Sequence, residues 1–251
     1  MAAQFRPRCR CAAGSRDGSH RQVGCSPSSP RRRSALPPGA RLRRRRSARR
    51  CRSVVRAFAA QADVAAEAEV VRLFHDAEQE LGLVRGLVNS AGIVAPYARV
   101  ADMSAKRIER MLAVNLLGTM LCCREAVRRM STAGSGPGGA IVNISSRAAV
   151  LGSPGSYVDY AAAKAAVDSV TYGLAREVAA EGIRVNGVRP GLVRTEIHAA
   201  TGETGRLDRL RPTIPIQREA QPEEIAEPIL WLLSPAASYV TGATLDVSGA
   251  R

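Results

Sequence analysis

Apolar and polar positions follow two rhythms along most of this chain. Short apolar runs bounded by Gly, Pro or Asp predict strands. Between these runs, apolar residues such as Val70, Phe74 and Ala77 recur at helical spacing. The predicted strands are 53–64, 84–92, 139–146, 183–191 and 242–249, and the predicted helices are 65–82, 104–130, 158–181 and 221–234.

This alternation of strand and helix predicts the fold class. A repeated strand–helix–strand series requires a parallel sheet with helices packed on both faces. We therefore predict an α/β domain with a doubly wound parallel sheet. Ligands bind such sheets beyond the carboxyl ends of the strands, so residues that directly follow strands are the candidates for chemistry.

Residues 1–53 follow neither rhythm and form a leader rich in Arg, Pro and Ser. Residues 1–55 hold sixteen arginines and one acid, Asp17, which together account for the formal charge of +15 of the whole chain. The rest of the chain is therefore neutral, and the high charge indicates nothing about its partners. We predict a disordered leader over 1–53 and the α/β domain over 54–251.

Other classes of protein and site find no support in the sequence. The four leader cysteines match no common zinc spacing, and we expect no metal site. Cys122 and Cys123 fall within an apolar helix, as is typical of a reducing compartment. No apolar run reaches the length of a membrane span, so we expect no membrane. These features predict a cytoplasmic protein, or an organellar one if the leader is a transit peptide.

A tyrosine and a lysine stand four residues apart in YAAAK, from Tyr160 to Lys164. That spacing puts both side chains on one helix face. A nearby cation favours phenolate, so we expect the pKa of Tyr160 to fall from about 10 towards neutrality. Such a phenol can exchange a proton with an alcohol. The alternative is two exposed helix residues that happen to be four apart. Tyr157 has no such partner and is interpreted as a packing residue.

Three further stretches place polar groups near strand ends. NSAG, from Asn89 to Gly92, allows a backbone to approach a flat ligand, although ordinary turn chemistry explains it equally well. Asn115 lies in the middle of a predicted helix, where its propensity is poor, so it is either a tolerated mismatch or a polar group kept for a site. RPGLVRT, which ends at Thr195, turns the chain after a strand, and Thr195 is a candidate to hold an amide.

Together these motifs resemble the short-chain dehydrogenase/reductase family. The resemblance rests on LVNSAG, AVNLLG, IVNISS, YAAAK, VRPGLVRT and the terminal YVTGATLDVSGAR, and it covers roughly residues 54–251. It implies a Rossmann-like sheet and an NAD(P)(H)-dependent enzyme that interconverts a secondary alcohol and a carbonyl. The sugar-dehydrogenase-like and 3-oxoacyl-reductase-like branches are the most similar.

The resemblance also implies roles for individual residues. Tyr160 would be the general acid/base, Lys164 would lower its pKa and bind the nicotinamide ribose, Ser146 would orient the substrate oxygen, and Asn115 would anchor a relay water. The residues implied to bind NAD or NADP, with NADP favoured, are Asp63, Val64, Asn89, Ala91, Gly92, Tyr160, Lys164, Pro190, Gly191, Val193 and Thr195.

The leader departs from the family pattern. Members of the family begin with a strand, a TGxxxGxG loop and a helix that binds the pyrophosphate. Residues 1–53 have about the right length for this first βαβ unit but contain neither the loop nor an apolar strand. We expect that the unit is absent or replaced, which puts cofactor binding in doubt. A shifted reading frame, a targeting peptide and a nucleic-acid arm remain alternatives for the leader.

The predicted partners are a small alcohol or carbonyl substrate and further copies of the chain in a tetramer. Residues 192–218 predict a flap that shapes the substrate site, with Arg206 among its arginines. Nucleic acid is an unlikely partner in this interpretation, because no aromatic residues interleave with the leader's arginines. The alternative function is polyanion binding through the leader on an inactive enzyme-like body.

Overall fold

The computed structural model describes residues 56–201, 203 and 205–251. Its four strands form one sheet in the order β1-β2-β3-β4, and every neighbouring pair is parallel. The strands are Gly86–Asn89 (β1), Gly139–Ile144 (β2), Ile183–Pro190 (β3) and Thr244–Val247 (β4). The predicted α/β fold with a parallel sheet is confirmed. The predicted leader, its boundary and its polyanion site lie outside the described residues.

Seven α-helices connect and cover the strands in the described part of the chain. They are Glu67–Leu81 (α1), Ala105–Leu112 (α2), Gly118–Met130 (α3), Ala148–Leu151 (α4), Val158–Val178 (α5), Arg206–Leu210 (α6) and Pro222–Leu233 (α7). The helix predicted over 104–130 begins where expected, because the Ser104 hydroxyl accepts a hydrogen bond from the Arg107 N–H at 3.3 Å. A π-helical turn, Ala113–Leu117, separates α2 from α3.

The sheet is covered on both faces. On one face, Phe74 of α1, Ala126 of α3 and Val178 of α5 pack with Ile141 and Val185 of the central strands. On the other face, Val142 and Val188 pack against Ile225 and Leu232 of α7. Adjacent residues of β2 therefore enter different cores, as expected of a strand buried on both sides.

The prediction of a strand over 53–64 is wrong for residues 56–64, the part of this range that the structure describes. Residues 56–63 adopt no regular secondary structure, and α1 begins at Glu67. A strand needs a hydrogen-bonded neighbour, and within the described residues β1 pairs only with β2. No partner strand stands beside this segment in the described part of the chain.

Candidate active site

A cavity of about 770 Å³ lies where β2 and β3 end and α5 begins. It is at the carboxyl edge of the sheet, where the sequence placed the chemistry. Eight of the predicted site residues line it: Gly92, Ser146, Tyr160, Lys164, Pro190, Gly191, Val193 and Thr195.

Tyr160 lies in the first turn of α5 and is buried, with 9% of its surface exposed. Ser146 follows β2, and a turn in which its hydroxyl accepts the N–H of Ala148 at 3.1 Å holds it there. Burial raises the pKa of the Tyr160 phenol, and a hydrogen bond with Ser146 opposes this rise. The expected fall of this pKa is therefore wrong, because desolvation of the phenol outweighs the Ser146 hydrogen bond and the charge of Arg206, which lower the pKa.

Lys164 lies one helical turn after Tyr160 and is 4% exposed. Its Nζ is 5.8 Å from the centroid of the Tyr160 ring and donates a hydrogen bond to the Ile144 carbonyl at 2.7 Å. The Lys164 carbonyl accepts a bond from the Ser145 hydroxyl at 3.0 Å. These two bonds tie α5 to the end of β2. Burial lowers the pKa of Lys164 to about 8, so the charged ammonium destabilises the folded protein at neutral pH.

Asn115 is completely buried within the π-helical turn. Its amide nitrogen donates to the carbonyls of Ile93 and Met111 at 3.0 and 3.1 Å, and its oxygen accepts the Ile93 N–H at 3.2 Å. A Cβ at Gly92 would lie 2.8 Å from that oxygen and 3.6 Å from Lys164 Nζ. Asn115, the polar residue that the sequence places in the middle of a helix, thus packs directly against the glycine turn.

A second, shallower hollow of about 1140 Å³ contains the predicted adenine-side residues. Asp63, Val64, Ala91 and Gly92 all line it, and Gly92 lines the first cavity too. A hydrogen bond from the Ala65 N–H, 3.0 Å long, lowers the pKa of Asp63, which stays a carboxylate and pairs with Arg110. The NSAG turn thus contributes to the walls of both hollows.

Asn89 is placed differently from its neighbours in the same motif. Its amide points into the core, where it donates to the Asn143 side chain at 2.9 Å and to Cys123 Sγ at 3.3 Å. Asn143 in turn donates to the Thr171 hydroxyl at 3.0 Å. Asn89 therefore connects β1 to β2 beneath the site, and it reaches a ligand only through its backbone.

The sequence interpretation missed a second group of side chains at the far end of the cavity. Arg206 donates hydrogen bonds from its three nitrogens to the Tyr97 hydroxyl at 2.8 Å, to His198 Nδ1 at 2.5 Å and to the Tyr157 hydroxyl. The Tyr157 ring lies edge-on to Tyr160 with centroids 5.7 Å apart. Tyr157 packs as expected but does have a cationic partner, and no sequence signal sets Arg206 apart from the other arginines of its segment.

The bonds of His198 fix its protonation state. Nε2 is 2.7 Å from the Val193 carbonyl, which can only accept, while Nδ1 faces Arg206, which can only donate. His198 is therefore neutral, with its proton on Nε2. Burial lowers the pKa of His198, and the positive charge of Arg206 lowers it as well.

No group of His, Cys, Asp and Glu side chains in the described part of the chain has the arrangement of a metal site. No helix there combines the length and the apolar character needed to cross a bilayer.

Comparison with known proteins places this geometry among oxidoreductases. Residues 40–249 match a family model described as enoyl-(acyl carrier protein) reductase. An uncharacterized Escherichia coli oxidoreductase, YgfF, is 53% identical over 196 residues, 78% of this chain and 79% of its own. A cis-4-hydroxycyclohexanecarboxylate dehydrogenase of Sinomonas cyclohexanicum is 41% identical over 194 residues, covering 77% and 76%.

A solved structure supports the same placement. The crystal structure of a short-chain type dehydrogenase/reductase from Mycobacterium marinum superposes with a TM-score of 0.70 at 32% identity, covering 75% of this chain and 73% of that one.

Proposed function

The chain belongs to the short-chain dehydrogenase/reductase family of alcohol and carbonyl oxidoreductases, and from this we propose that Tyr160 is the general acid/base of an NAD(P)(H)-dependent reaction. The reaction interconverts a small secondary alcohol and a ketone. One observation carries the proposal: Tyr160, Lys164 and Ser146 are brought together at one cavity beyond the end of β2.

Each of these residues has a defined task in the proposed reaction. Tyr160 gives its phenolic proton to the carbonyl oxygen during reduction and takes the alcohol proton during oxidation. Its raised pKa keeps the phenol protonated in the free protein, ready for reduction. The ammonium of Lys164 favours the phenolate that oxidation requires. Ser146 orients the substrate oxygen beside the phenol, and Asn115 anchors the water that relays the proton.

The nicotinamide half of a dinucleotide fits the residues present. When bound, the dinucleotide supplies or accepts the hydride. A cavity of about 770 Å³ is ample for a nicotinamide riboside and a small substrate. Gly92 and Gly191 let the walls of the cavity pack closely, because a Cβ would come within 2.8 Å of Asn115 Oδ1 or 2.7 Å of Ser248 Cα, respectively.

We assign the cofactor contacts along the line of the two hollows. The nicotinamide would lie against Pro190, Gly191, Val193 and Thr195, its ribose against Tyr160 and Lys164, the adenosine ribose against Asn89, Ala91 and Gly92, and the adenine against Asp63 and Val64. Gly92 and Ile93 line both hollows, so a long dinucleotide can run from one to the other. NADP remains the favoured form.

Replacing Tyr160 with Phe tests the assignment of the acid/base. Tyr160→Phe removes the transferable proton and keeps the ring, so we expect kcat to fall by about 10²–10⁴ while the Kd of NAD(P)H changes less than threefold. Turnover is measured by NADPH and NADH absorbance with a panel of small ketones.

Two other tyrosines are the controls. Tyr172→Phe changes an exposed ring on the same helix and should leave kcat unchanged. A Tyr160→Phe protein that keeps its turnover, or a larger loss of kcat in Tyr157→Phe, would contradict the assignment.

The leader and the assembly complete the proposal. Residues 1–53 are a segment separate from the 54–251 domain, and they lack the TGxxxGxG loop that would hold the pyrophosphate. Translating the encoding DNA upstream of codon 54 in the other two frames tests the shifted-frame explanation, which requires a TGxxxGxG sequence in one of them. The domain assembles as a tetramer, which light scattering of the purified chain checks.

A further inference from the structure

Arg206 is a buried cation without a buried anion. It is 9% exposed, and the three groups that accept its hydrogen bonds, Tyr97, His198 and Tyr157, are all uncharged. Among the described residues no carboxylate forms a direct ion pair with it. The nearby Glu203 pairs with Arg209 and accepts a hydrogen bond from the Tyr97 hydroxyl at 2.5 Å, so it is connected to Arg206 only through Tyr97. A buried charge normally has an opposite charge to offset its desolvation.

A second cation lies at the same end of the cavity. Arg251 lines the cavity together with Arg206, and its guanidinium has no hydrogen-bond or ion-pair partner among the described residues. Burial lowers the pKa of Arg251, and the positive charge of Arg206, which lines the same cavity, lowers it further. Two positive charges that share a cavity repel each other, and an anion bound between them offsets this repulsion.

The other charged side chains of the lining do not form an ion pair with Arg206 or Arg251. Arg147 forms an ion pair with Asp246 at 2.7 Å, outside the Arg206 group. Glu196 also lines the cavity, but it is exposed to solvent and makes no ion pair within the described residues. The cavity therefore presents an excess of positive charge at the end opposite Lys164.

We infer that the substrate carries a carboxylate, which Arg206 binds with the help of Arg251 while the alcohol or carbonyl group meets Tyr160. The inference rests on the proposed function, since it names the class of substrate for that same site. It makes the substrate a hydroxy acid, and the product an oxo acid.

The geometry suits a small organic acid. Arg206 donates to the hydroxyl of Tyr157, whose ring lies 5.7 Å from that of Tyr160, so a single tyrosine ring separates the anion site from the acid/base. A guanidinium has five N–H groups, and the three bonds described leave one free on each terminal nitrogen. Two such donors match the two oxygens of one carboxylate. Apolar Ile93, Val94 and Leu151 line the space for the carbon skeleton.

Binding of matched acids and esters tests the inference without requiring turnover. The probes are 4-oxopentanoate and cyclohexanecarboxylate, each against its methyl ester, titrated calorimetrically into the full-length chain whose folding is verified by circular dichroism. We expect each acid to bind at least tenfold more tightly than its ester. Arg206→Met should abolish this preference, Arg251→Met should reduce it severalfold, and Arg176→Met, which removes an exposed arginine of α5, should leave it unchanged.

Several results would overturn the inference. These are equal affinities for acid and ester, no binding of either acid at millimolar concentration, or an undiminished acid preference in folded Arg206→Met. If Arg206→Met does not fold, Arg206→Lys keeps the charge but not the paired donors. A severalfold loss of preference in that variant supports the inference, and an unchanged preference contradicts it.

Hydride transfer is measured separately with 4-oxopentanoate and 2-pentanone. Equal kcat/KM for the two ketones contradicts the carboxylate site and leaves the proposed function standing. A clear binding preference for acids with no oxidation of NADPH or NADH by any ketone contradicts the proposed function and leaves the carboxylate site standing.

Discussion

The two ends of the cavity are built in different ways. At one end, Tyr160 and Lys164 project from a single helix, and their partners Ser145 and Ser146 follow the adjacent strand. At the other end, Arg206 joins Tyr157 and Tyr97 across 49 and 109 residues of sequence. The proposed proton chemistry thus depends on regular elements, whereas the proposed substrate recognition depends on a segment of short turns. A rigid scaffold with a variable segment allows one reaction to be combined with many substrates.

The two ends also balance their charges differently. Lys164 is buried beside a backbone carbonyl, and its pKa is lowered to about 8. Arg206 keeps its charge among neutral acceptors, because a guanidinium does not give up its proton near neutral pH. The first end can therefore respond to pH through its cation, and the second only through the groups around its cation.

The largest effect should come from removing the cation at the Tyr160 end. Lys164→Met should lower kcat/KM by about 100-fold or more. The same change should raise the free energy of unfolding by up to about 3 kcal/mol at pH 7, because it removes a buried charge whose pKa is depressed from 10.5 to about 8. Below pH 8 the buried ammonium destabilises the folded protein fully, and above pH 10.5, the pKa of the unfolded chain, this destabilisation is lost. The stability gained by Lys164→Met should therefore decrease between pH 8 and pH 10.5.

Urea unfolding at pH 7 and pH 10 measures the stability, and steady-state kinetics measures the activity. The other lysine of the chain provides the control, since Lys106 is exposed on α2 and Lys106→Met should change neither quantity. A Lys164→Met protein that is less stable at pH 7 would show that the hydrogen bond to the Ile144 carbonyl outweighs the desolvation of the ammonium.

An intermediate effect is expected at the NSAG turn, which lines both hollows. Gly92→Ala adds a Cβ 2.8 Å from Asn115 Oδ1, which forces this buried amide to shift and narrows the space beside Lys164. We expect the Kd of NAD(P)H to rise about tenfold, with 1–3 kcal/mol lost from stability through overpacking. Fluorescence titration with NADPH measures the affinity.

Gly173→Ala is the matched control for this substitution, because its Cβ meets nothing within 4 Å on α5. It should leave the affinity unchanged and stabilise the helix by about 0.5–1 kcal/mol. Equal affinities in the two alanine variants would mean that the dinucleotide does not pass Gly92.

The smallest effect should be a pH dependence at the Arg206 end. The pKa of His198 is lowered by burial, so the folded protein binds fewer protons at this site than the unfolded chain. Stability is therefore lost as the pH falls below the ordinary histidine value near 6.5. Protonation also removes the Nδ1 acceptor of Arg206 and places a second cation beside it.

His198→Gln isolates this contribution. Between pH 7.5 and pH 5.5 the urea midpoint of the wild-type protein should fall further than that of His198→Gln. Parallel curves for the two proteins would indicate that His198 accepts the proton without disturbing Arg206.

The sequence predicts the Tyr160 end of the cavity but not the Arg206 end, and the reason is physical. The spacing of Tyr160 and Lys164 fixes their common helix face, and Ser146 follows a strand that the apolar pattern identifies. Arg206 has no such local constraint, because its partners Tyr97 and Tyr157 are determined only by the tertiary fold. Long-range contacts of this kind leave no period in the sequence.

The same distinction explains the errors elsewhere. The helix start predicted at 104 is confirmed, because Ser104 caps α2 in the structure. The helix predicted over 158–181 is α-helical to Val178 and continues as a 3₁₀ turn to Glu181, after which Gly182, at a φ of 72°, ends it. The strand predicted before Asp63 failed because strands depend on a neighbour that a local pattern cannot show. The direction of the Tyr160 pKa was wrong because the depth of burial is likewise a property of the whole fold.

The π-helical turn at Ala113–Leu117 has a consequence for the two apolar cores that it connects. Such a turn contains one residue more than an α-helical turn, so it rotates everything after it by roughly 100° about the helix axis. Met111 before the turn packs with Tyr157 and Tyr160, whereas Leu121 and Ala126 after it pack against the sheet. The extra residue therefore rotates the apolar side chains after the turn relative to those before it, so that each set faces its own core. A one-residue deletion there would restore an ordinary helix and turn one of its apolar stripes away from its core.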